Sequence, residues 1–176
     1  MIRKNLIFLL IVFLSACTAK QKASETVLNK DLKEFNIEFD YAFPKPSSRY
    51  IQGVQDLNLS RTGNSANRIN IKGDGYYLKF KNDSVSGVLP FYGEQYFGYQ
   101  KTVHDRIEFK TATEELNIST EIIKKGTRVK FKIKDSNRNF EEYQMRILIF
   151  ENNKAEVVVL SSTRSSIAYR GKLFIE

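Results

Sequence analysis

The sequence predicts an all-β domain of about ten antiparallel strands in a meander, closed into a barrel or folded into a two-layer sandwich, with one short N-terminal helix. Three observations carry that expectation. Apolar residues alternate with polar ones in short runs along most of the chain after Phe35. Brief turn-forming stretches separate the runs, among them Gly73-Asp74-Gly75, Asn82-Asp83, Lys125-Gly126, Asp135-Ser136-Asn137 and Asn152-Asn153. Only residues 24–35 carry apolar side chains (Val27, Leu28, Leu32, Phe35) near helical spacing after a serine cap. An open two-sided sheet of that many strands would leave apolar faces in water, so closure or stacking is required.

The first segment reads as an address. Arg3 and Lys4 precede nine apolar residues, Leu6 to Leu14, and then Ser15, Ala16 and Cys17, which is the layout of a secretory signal peptide. Nine residues rise about 14 Å as a helix, half of a hydrocarbon core about 30 Å thick, so the segment is too short to span. Leu14-Ser15-Ala16-Cys17 resembles the bacterial lipobox, in which the cysteine thiol receives a diacylglycerol, the chain is cut before it, and the new amine is acylated, commonly with palmitate. Residues 1–16 are therefore expected to be a lipoprotein signal peptide. Residues 17–34 are expected to hold the lipidated Cys17, a polar tether and the short helix. The tether Thr18-Ala19-Lys20-Gln21-Lys22 lacks the aspartate that resembles an inner-membrane retention signal, and no acidic run follows it. The expected location is the cell envelope, anchored to the outer membrane and facing the periplasm.

Residues 35–176 read as one β domain, with no internal repeat or boundary. Phe35, Ile37, Phe39 and Tyr41 alternate against Asn36, Glu38 and Asp40 until Pro44 and Pro46 stop the strand. Further alternating runs occupy 57–59, 69–71, 76–81, 106–109, 116–123, 129–133, 143–150, 155–160 and 167–175. The polar stretch 60–67 reads as an exposed loop. Val157, Val158, Val159 and Leu160 are apolar on both faces, which predicts a strand covered on both sides.

Composition narrows the chemistry. The 176 residues carry 28 Lys+Arg against 20 Asp+Glu, one Cys, one His and no Trp. With Cys17 as the sole cysteine no internal disulfide is possible, and the core alone must hold the fold. Soft-metal sites and thiol catalysis lack ligands and nucleophile, and a serine triad would depend on His104 alone. No G-x-S-x-G, Walker A, GxGxxG or HExxH segment occurs. No cofactor, metal or catalytic residue is expected. Nucleic acid is a poor partner, because losing Arg3 and Lys4 lowers the net charge from +8 to +6 and the compartment holds little of it.

Two segments, Leu89-Pro90-Phe91-Tyr92-Gly93-Glu94-Gln95-Tyr96 and Arg164-Ser165-Ser166-Ile167-Ala168-Tyr169-Arg170-Gly171, resemble the bacterial domain-of-unknown-function family 4251. In that family a strand and turn similar to residues 78–83 precede a Leu-Pro-Tyr-Phe-Gly-Arg-Ala-Tyr-like segment, and an Arg-x-x-Ile-x-Tyr-x-Gly-like segment closes the domain. Here Phe91-Tyr92 stands where Tyr-Phe is usual, and Glu94-Gln95 where Arg-Ala is usual. The resemblance covers roughly residues 35–173. It implies an exported, often lipid-anchored protein, and it implies no activity and no catalytic residues.

Candidate binding residues come from three places. Positions 76–99 hold eight of the chain's 22 aromatic residues, including Tyr92, Tyr96 and Tyr99. Tyrosine rings offer apolar faces with a hydroxyl for orientation, so the segment suits a binding platform; equally, with Pro90, Gly93 and Gly98 bending it, it suits a packed plug at one end of the fold. Arg164 and Tyr169 form a second candidate cluster near the last hairpin, where the plainer expectation is that Arg164 satisfies turn carbonyls, Tyr169 packs and Gly171 allows a bulge. Arg128, Lys130, Lys132 and Lys134 alternate with Val129, Phe131 and Ile133, placing four cations on one strand face. That face can meet anionic headgroups or an acidic partner, or simply be solvated and balanced by Glu141 and Glu142 across the hairpin. The expected function is a non-enzymatic binding or scaffolding module that reaches the membrane through Cys17 and takes an envelope protein, glycan or lipid. The alternatives are a β-barrel carrier of an apolar small molecule or lipid and, third, an envelope-polymer hydrolase using paired carboxylates.

Overall fold

The computed structural model describes residues 34–45, 64–96, 106–136 and 141–175. The chain divides into two units, 1–32 and 33–176, and every described residue lies in the second. The leader, Cys17, the tether, the run 57–59, residues 60–63 of the loop 60–67, Tyr99 and His104 lie outside the described residues. So does the expected helix over 24–35, apart from its last two residues, and Phe35 opens a strand.

β1 (Phe35–Pro44) begins on the alternation read from the sequence, with Phe35, Ile37 and Phe39 buried. The phase slips by one residue around Asp40, where the pairing jumps from Phe39 to Tyr41 opposite Gly171 and Arg170. Ala42 and Pro44 are therefore buried and Tyr41 is not, a correction to the expected inward Tyr41 that follows from one extra residue in a β-bulge. A Cβ on Gly171 would collide with the Glu38 carbonyl oxygen, so the close approach at the bulge requires glycine. Tyr41 instead packs under the Arg68 guanidinium, 4.2 Å from the ring centre.

The short β2 (Ile69–Asn70) pairs only with β1. β3 (Tyr77–Lys81) turns through Asn82-Asp83, at φ 50° and 53°, into β4 (Ser84–Pro90). Two consecutive left-handed residues are what a two-residue hairpin needs to match strand twist. β4 is absent from the alternating runs because its inward position 87 is a glycine and its outward position 88 a valine, which blurs the period. β5 (Arg106–Ala112) leads through a 3-10 turn, Thr113–Glu115, to β6 (Ser119–Ile123), so the run expected from 116 starts three residues late. β7 (Gly126–Lys134), β8 (Glu142–Ile149), β9 (Lys154–Ser161) and β10 (Ile167–Ile175) complete the meander.

The sheet order is β5-β4-β3-β1-β10-β9-β8-β7-β6, every pair antiparallel, with β2 hanging on β1. This is one continuous sheet curled into a half-barrel, so of the two expected closures the described residues form no second sandwich layer. The ring is also not sealed: β5 and β6 follow each other in the chain yet share no ladder, which leaves a seam. A backbone hydrogen bond, Ser136 N–H to the Glu108 carbonyl at 2.7 Å, crosses it at one end.

The curl is visible in the core. Phe80 on β3 stacks on Phe35 at 4.5 Å and meets Phe131 on β7 edge-on at 5.7 Å. Those two strands are five places apart in the sheet, roughly 24 Å if it were flat at the usual strand spacing. Contact is possible only because the sheet bends round and fills its own concavity with side chains. Val157 and Val159 of β9 join this core, while Val158 and Leu160 stay half-buried, so the expected cover on both faces is not found among the described residues.

Removing the ring that spans the interior, Phe131→Ala, is expected to cost about 3–5 kcal/mol in urea unfolding. Gly171→Ala is expected to cost about 3 kcal/mol by forcing β10 off the bulge, at the upper end for an overpacked site. An unchanged unfolding midpoint for either variant would contradict this packing.

Candidate functional site

Four chain segments meet at the end of the half-barrel where β4, β7 and β9 finish. Their centre is an ion pair. The Arg164 Nε donates to Glu141 Oε1 at 3.0 Å and its Nη2 lies 2.8 Å from Glu141 Oε2, with both side chains at 0% exposure. A charge-assisted hydrogen bond from the planar guanidinium makes such a pair directional as well as strong. Thr163 Oγ1 donates to the same Oε1 at 3.1 Å, and the Tyr143 hydroxyl donates to Oε2. The Phe91 ring lies 4.7 Å beneath the guanidinium. Glu141 is thus a carboxylate whose two oxygens are taken up by its neighbours, suited to holding loops in place.

The two segments that carry the sequence resemblance are locked together here. Gln95 and Arg164 form an isolated antiparallel bridge. Tyr96 N–H donates to the Thr163 carbonyl at 2.7 Å, Ser165 N–H to the Glu94 carbonyl at 2.9 Å, and Glu94 N–H to Ser165 Oγ at 3.0 Å. Gly93 has no side chain to collide with the Ser165 hydroxyl, which lets the segments lie this close. The Tyr169 hydroxyl donates to the Pro90 carbonyl at 2.7 Å and ties the end of β4 to β10.

The expected binding residues therefore occupy different environments. Arg164 and Tyr169 are buried, Tyr92 is half-buried, Tyr96 is 57% exposed, and Tyr99 lies outside the described residues. Burial, then the neighbouring Tyr76 and Asp74, push the Tyr92 hydroxyl up to about 12. Burial, then Tyr92 and Tyr76, hold the Tyr169 hydroxyl well above the usual tyrosine range. Burial and the hydrogen bond to Glu141 do the same for Tyr143. Glu141 and Tyr143 were not singled out as a site by sequence reasoning. Their signal was parity: 141 and 143 share the strand face of Met145, Ile147 and Ile149, which are buried, while Glu142 lies on the other face. Glu141 accordingly does not balance the cationic stripe.

That stripe lies on the exposed face of β7. Arg128 pairs with Glu121 at 3.0 Å and Lys132 with Glu142 at 2.9 Å, all four partly exposed. Two grooves open on the sheet. One, about 740 Å³, follows the seam beside Thr111, Leu116 and the stripe. The other, about 730 Å³, lies over β1, β3 and the Gly73–Gly75 turn and is lined by Tyr76, Tyr77, Phe174, Lys72 and Asp40. Among the described residues no group of three or more His, Cys, Asp or Glu is arranged to hold a metal ion.

A family model described as a domain of unknown function, DUF4251, matches residues 18–173. No curated protein matches the chain, and no solved structure does.

Breaking the buried pair with Arg164→Met or Glu141→Gln is expected to cost about 3–5 kcal/mol, because the partner is left charged and unpaired. Lys132→Met, which breaks an exposed pair, is expected to cost under about 1 kcal/mol. Urea unfolding of the three variants checks the contrast. Alkali is expected to unfold the protein through its buried tyrosines. Their folded values are raised, so their contribution is intact below the ordinary tyrosine range near pH 10 and is lost as pH climbs towards the folded values. Each fully buried tyrosine then lowers stability by about 1.4 kcal/mol per pH unit. Stability measured from pH 9 to 12 is expected to fall less steeply in Tyr143→Phe and Tyr169→Phe than in the parent.

Proposed function

The chain belongs to the DUF4251 family, and from that membership, the lipobox-like leader and the filled core we propose a lipid-anchored envelope protein, periplasm-facing on the outer membrane, that acts as a non-enzymatic binding or scaffolding module. The observation that carries the binding reading is where the space lies. The interior of the sheet is occupied by rings in contact, Phe35 on Phe80 on Phe131, while the two grooves are lined mostly by polar side chains, one along the β5–β7 seam and one over β1 and β3. A carrier of an apolar molecule needs a lined internal cavity of about 300 Å³ or more. Rings that touch across the interior weigh against that alternative. The hydrolase alternative needs a carboxylate free to exchange a proton in a cleft, and the buried Glu141 is engaged by Arg164, Thr163 and Tyr143.

The anchoring half of the proposal rests on Cys17. Two or three acyl chains, at about 0.8 kcal/mol per buried methylene, hold a protein on a bilayer without any protein-encoded span. Cells grown with an alkyne analogue of palmitate are expected to label the full chain, and Cys17→Ser is expected to abolish the label and release the protein from the membrane fraction. Label retained in Cys17→Ser would end the lipoprotein reading. Protease added to intact cells is expected to leave the protein whole and to cut it only after the outer membrane is permeabilised; cleavage in intact cells would turn the domain to the outside.

A further inference from the structure

We propose that the seam between β5 and β7 is a docking site for an extended acidic peptide segment, which adds as a strand along the free part of the β7 edge. This deepens the binding-module reading and rests on it. Among the described residues that part of the edge has no strand beside it, for a definite reason. β6 is five residues long and its ladder with β7 runs only from Ile123↔Gly126 to Ser119↔Lys130, so residues 131–134 have no strand on that side among the described residues. β5 does not form a ladder there: it stays on the β4 ladder, and the backbone hydrogen bond from Ser136 to Glu108 ties it to the chain just beyond β7. A strand edge of this kind presents unpaired backbone donors and acceptors, the surface on which strand addition works.

The groove geometry supports an occupant lying along that edge. Five consecutive β7 residues, Lys130 to Lys134, line the groove of about 740 Å³. Successive side chains of a strand point to opposite faces, so a groove that touches all five must run along the strand's side. Thr111 and Leu116 form part of the opposite wall.

Charge selects the occupant. Lys130, Lys132 and Lys134 project on one face at intervals of roughly 6.6–7 Å, the two-residue repeat of a strand. Lys132 is paired with Glu142, but Lys130 and Lys134 have no carboxylate within ion-pair distance among the described residues. Lys130 also stands directly opposite Arg146 across the β7–β8 ladder, a like-charge pairing that costs stability unless an anion sits between. An added strand with acidic side chains at every second residue supplies those anions at the same spacing. Glu115 and Glu142, which also line the groove, keep it from being a uniform cationic field and favour a register that faces Lys130 and Lys134.

The test uses the full purified chain in nanodiscs of phosphatidylcholine, with hydrogen exchange read by mass spectrometry. The probe is acetyl-Glu-Val-Glu-Val-Glu-Val-amide. Its controls are the same peptide with lysine for glutamate and with alternate backbone nitrogens methylated. The acidic peptide is expected to slow exchange across 130–134 by about tenfold at saturation, the change produced by about 1.4 kcal/mol of added protection. The lysine and methylated peptides are expected to give none. The double variant Lys130→Glu/Lys134→Glu, at one half-buried and one exposed position on the solvent face of β7, is expected to keep the urea-unfolding midpoint of the parent within about 1 kcal/mol and to need at least about tenfold more peptide. No protection, equal protection by the methylated peptide, or protection confined to other segments would each overturn the proposal. Protection produced instead by exchanging phosphatidylcholine for phosphatidylglycerol, with none from peptide, would assign the stripe to lipid and also overturn it. Acyl labelling of Cys17 is read separately, so failure of the peptide assay leaves the anchoring proposal standing.

Discussion

The ladder between β1 and β10 runs nearly the whole length of both strands, and it joins two meanders that the chain builds at different times. β1 to β5 form the first and β6 to β10 the second. Their covalent link, residues 113–118, forms no ladder between β5 and β6. Without the β1–β10 pairing each meander would present two raw edges and an uncovered apolar face. With it, Phe39 reaches Tyr169 at 5.4 Å across the ladder, and the concave face closes over Phe35, Phe80 and Phe131. The bulge near Asp40 sits within this ladder, where an extra residue increases local twist and helps the sheet curl. Because the partners are some 130 residues apart in sequence, their pairing is the least local event in the fold and closes the largest loop.

The open end is organised by a different kind of force. A buried ion pair returns little net stability compared with an apolar replacement, since both ions lose their water. What it supplies here is direction. Glu141 sits at the mouth of the β7–β8 connection and Arg164 in the β9–β10 connection, and the ion pair, one hydrogen bond from Nε and one close contact from Nη2, sets the two at one distance. Arg164 in turn bridges to Gln95 and covers Phe91. Three connections that would otherwise be independent become one polar plug, and the aromatic segment is partly drawn into it.

Much of the fold was legible in the sequence because strand period and turn chemistry are local. The Asn82-Asp83 turn, the alternation of β7 and the strand runs of β8 to β10 are read from neighbouring residues alone. What was not legible depends on partners far away in the chain. The bulge at Asp40 exists because of Gly171, and β4 hides its period behind Gly87 and Val88. The candidate site shows the same division. Arg164 and Tyr169 stand out in the sequence, and the expectation that Tyr169 packs agrees with its burial, but their partners, Glu141 for Arg164 and the Pro90 carbonyl for Tyr169, lie far away in the chain. Glu141 reads with Glu142 as a pair of surface acids, yet it shares its parity with the buried Tyr143 and lies inside. Choosing one curled sheet over two stacked ones required the β1–β10 pairing, which no local pattern encodes.

The direct pairing of Phe35 with Ile175 brings the two ends of the β domain within about 5.5 Å, the spacing of paired residues in an antiparallel ladder. The link 113–118 carries chain connectivity but no β5–β6 ladder. Connectivity and architecture are therefore separable in this ring. A circular permutant with a short linker between 175 and 35, opened within 113–118, would retain every strand pairing while turning the order of the two meanders around. Its new termini would emerge at the seam, and the former start and finish of the domain would become an ordinary hairpin.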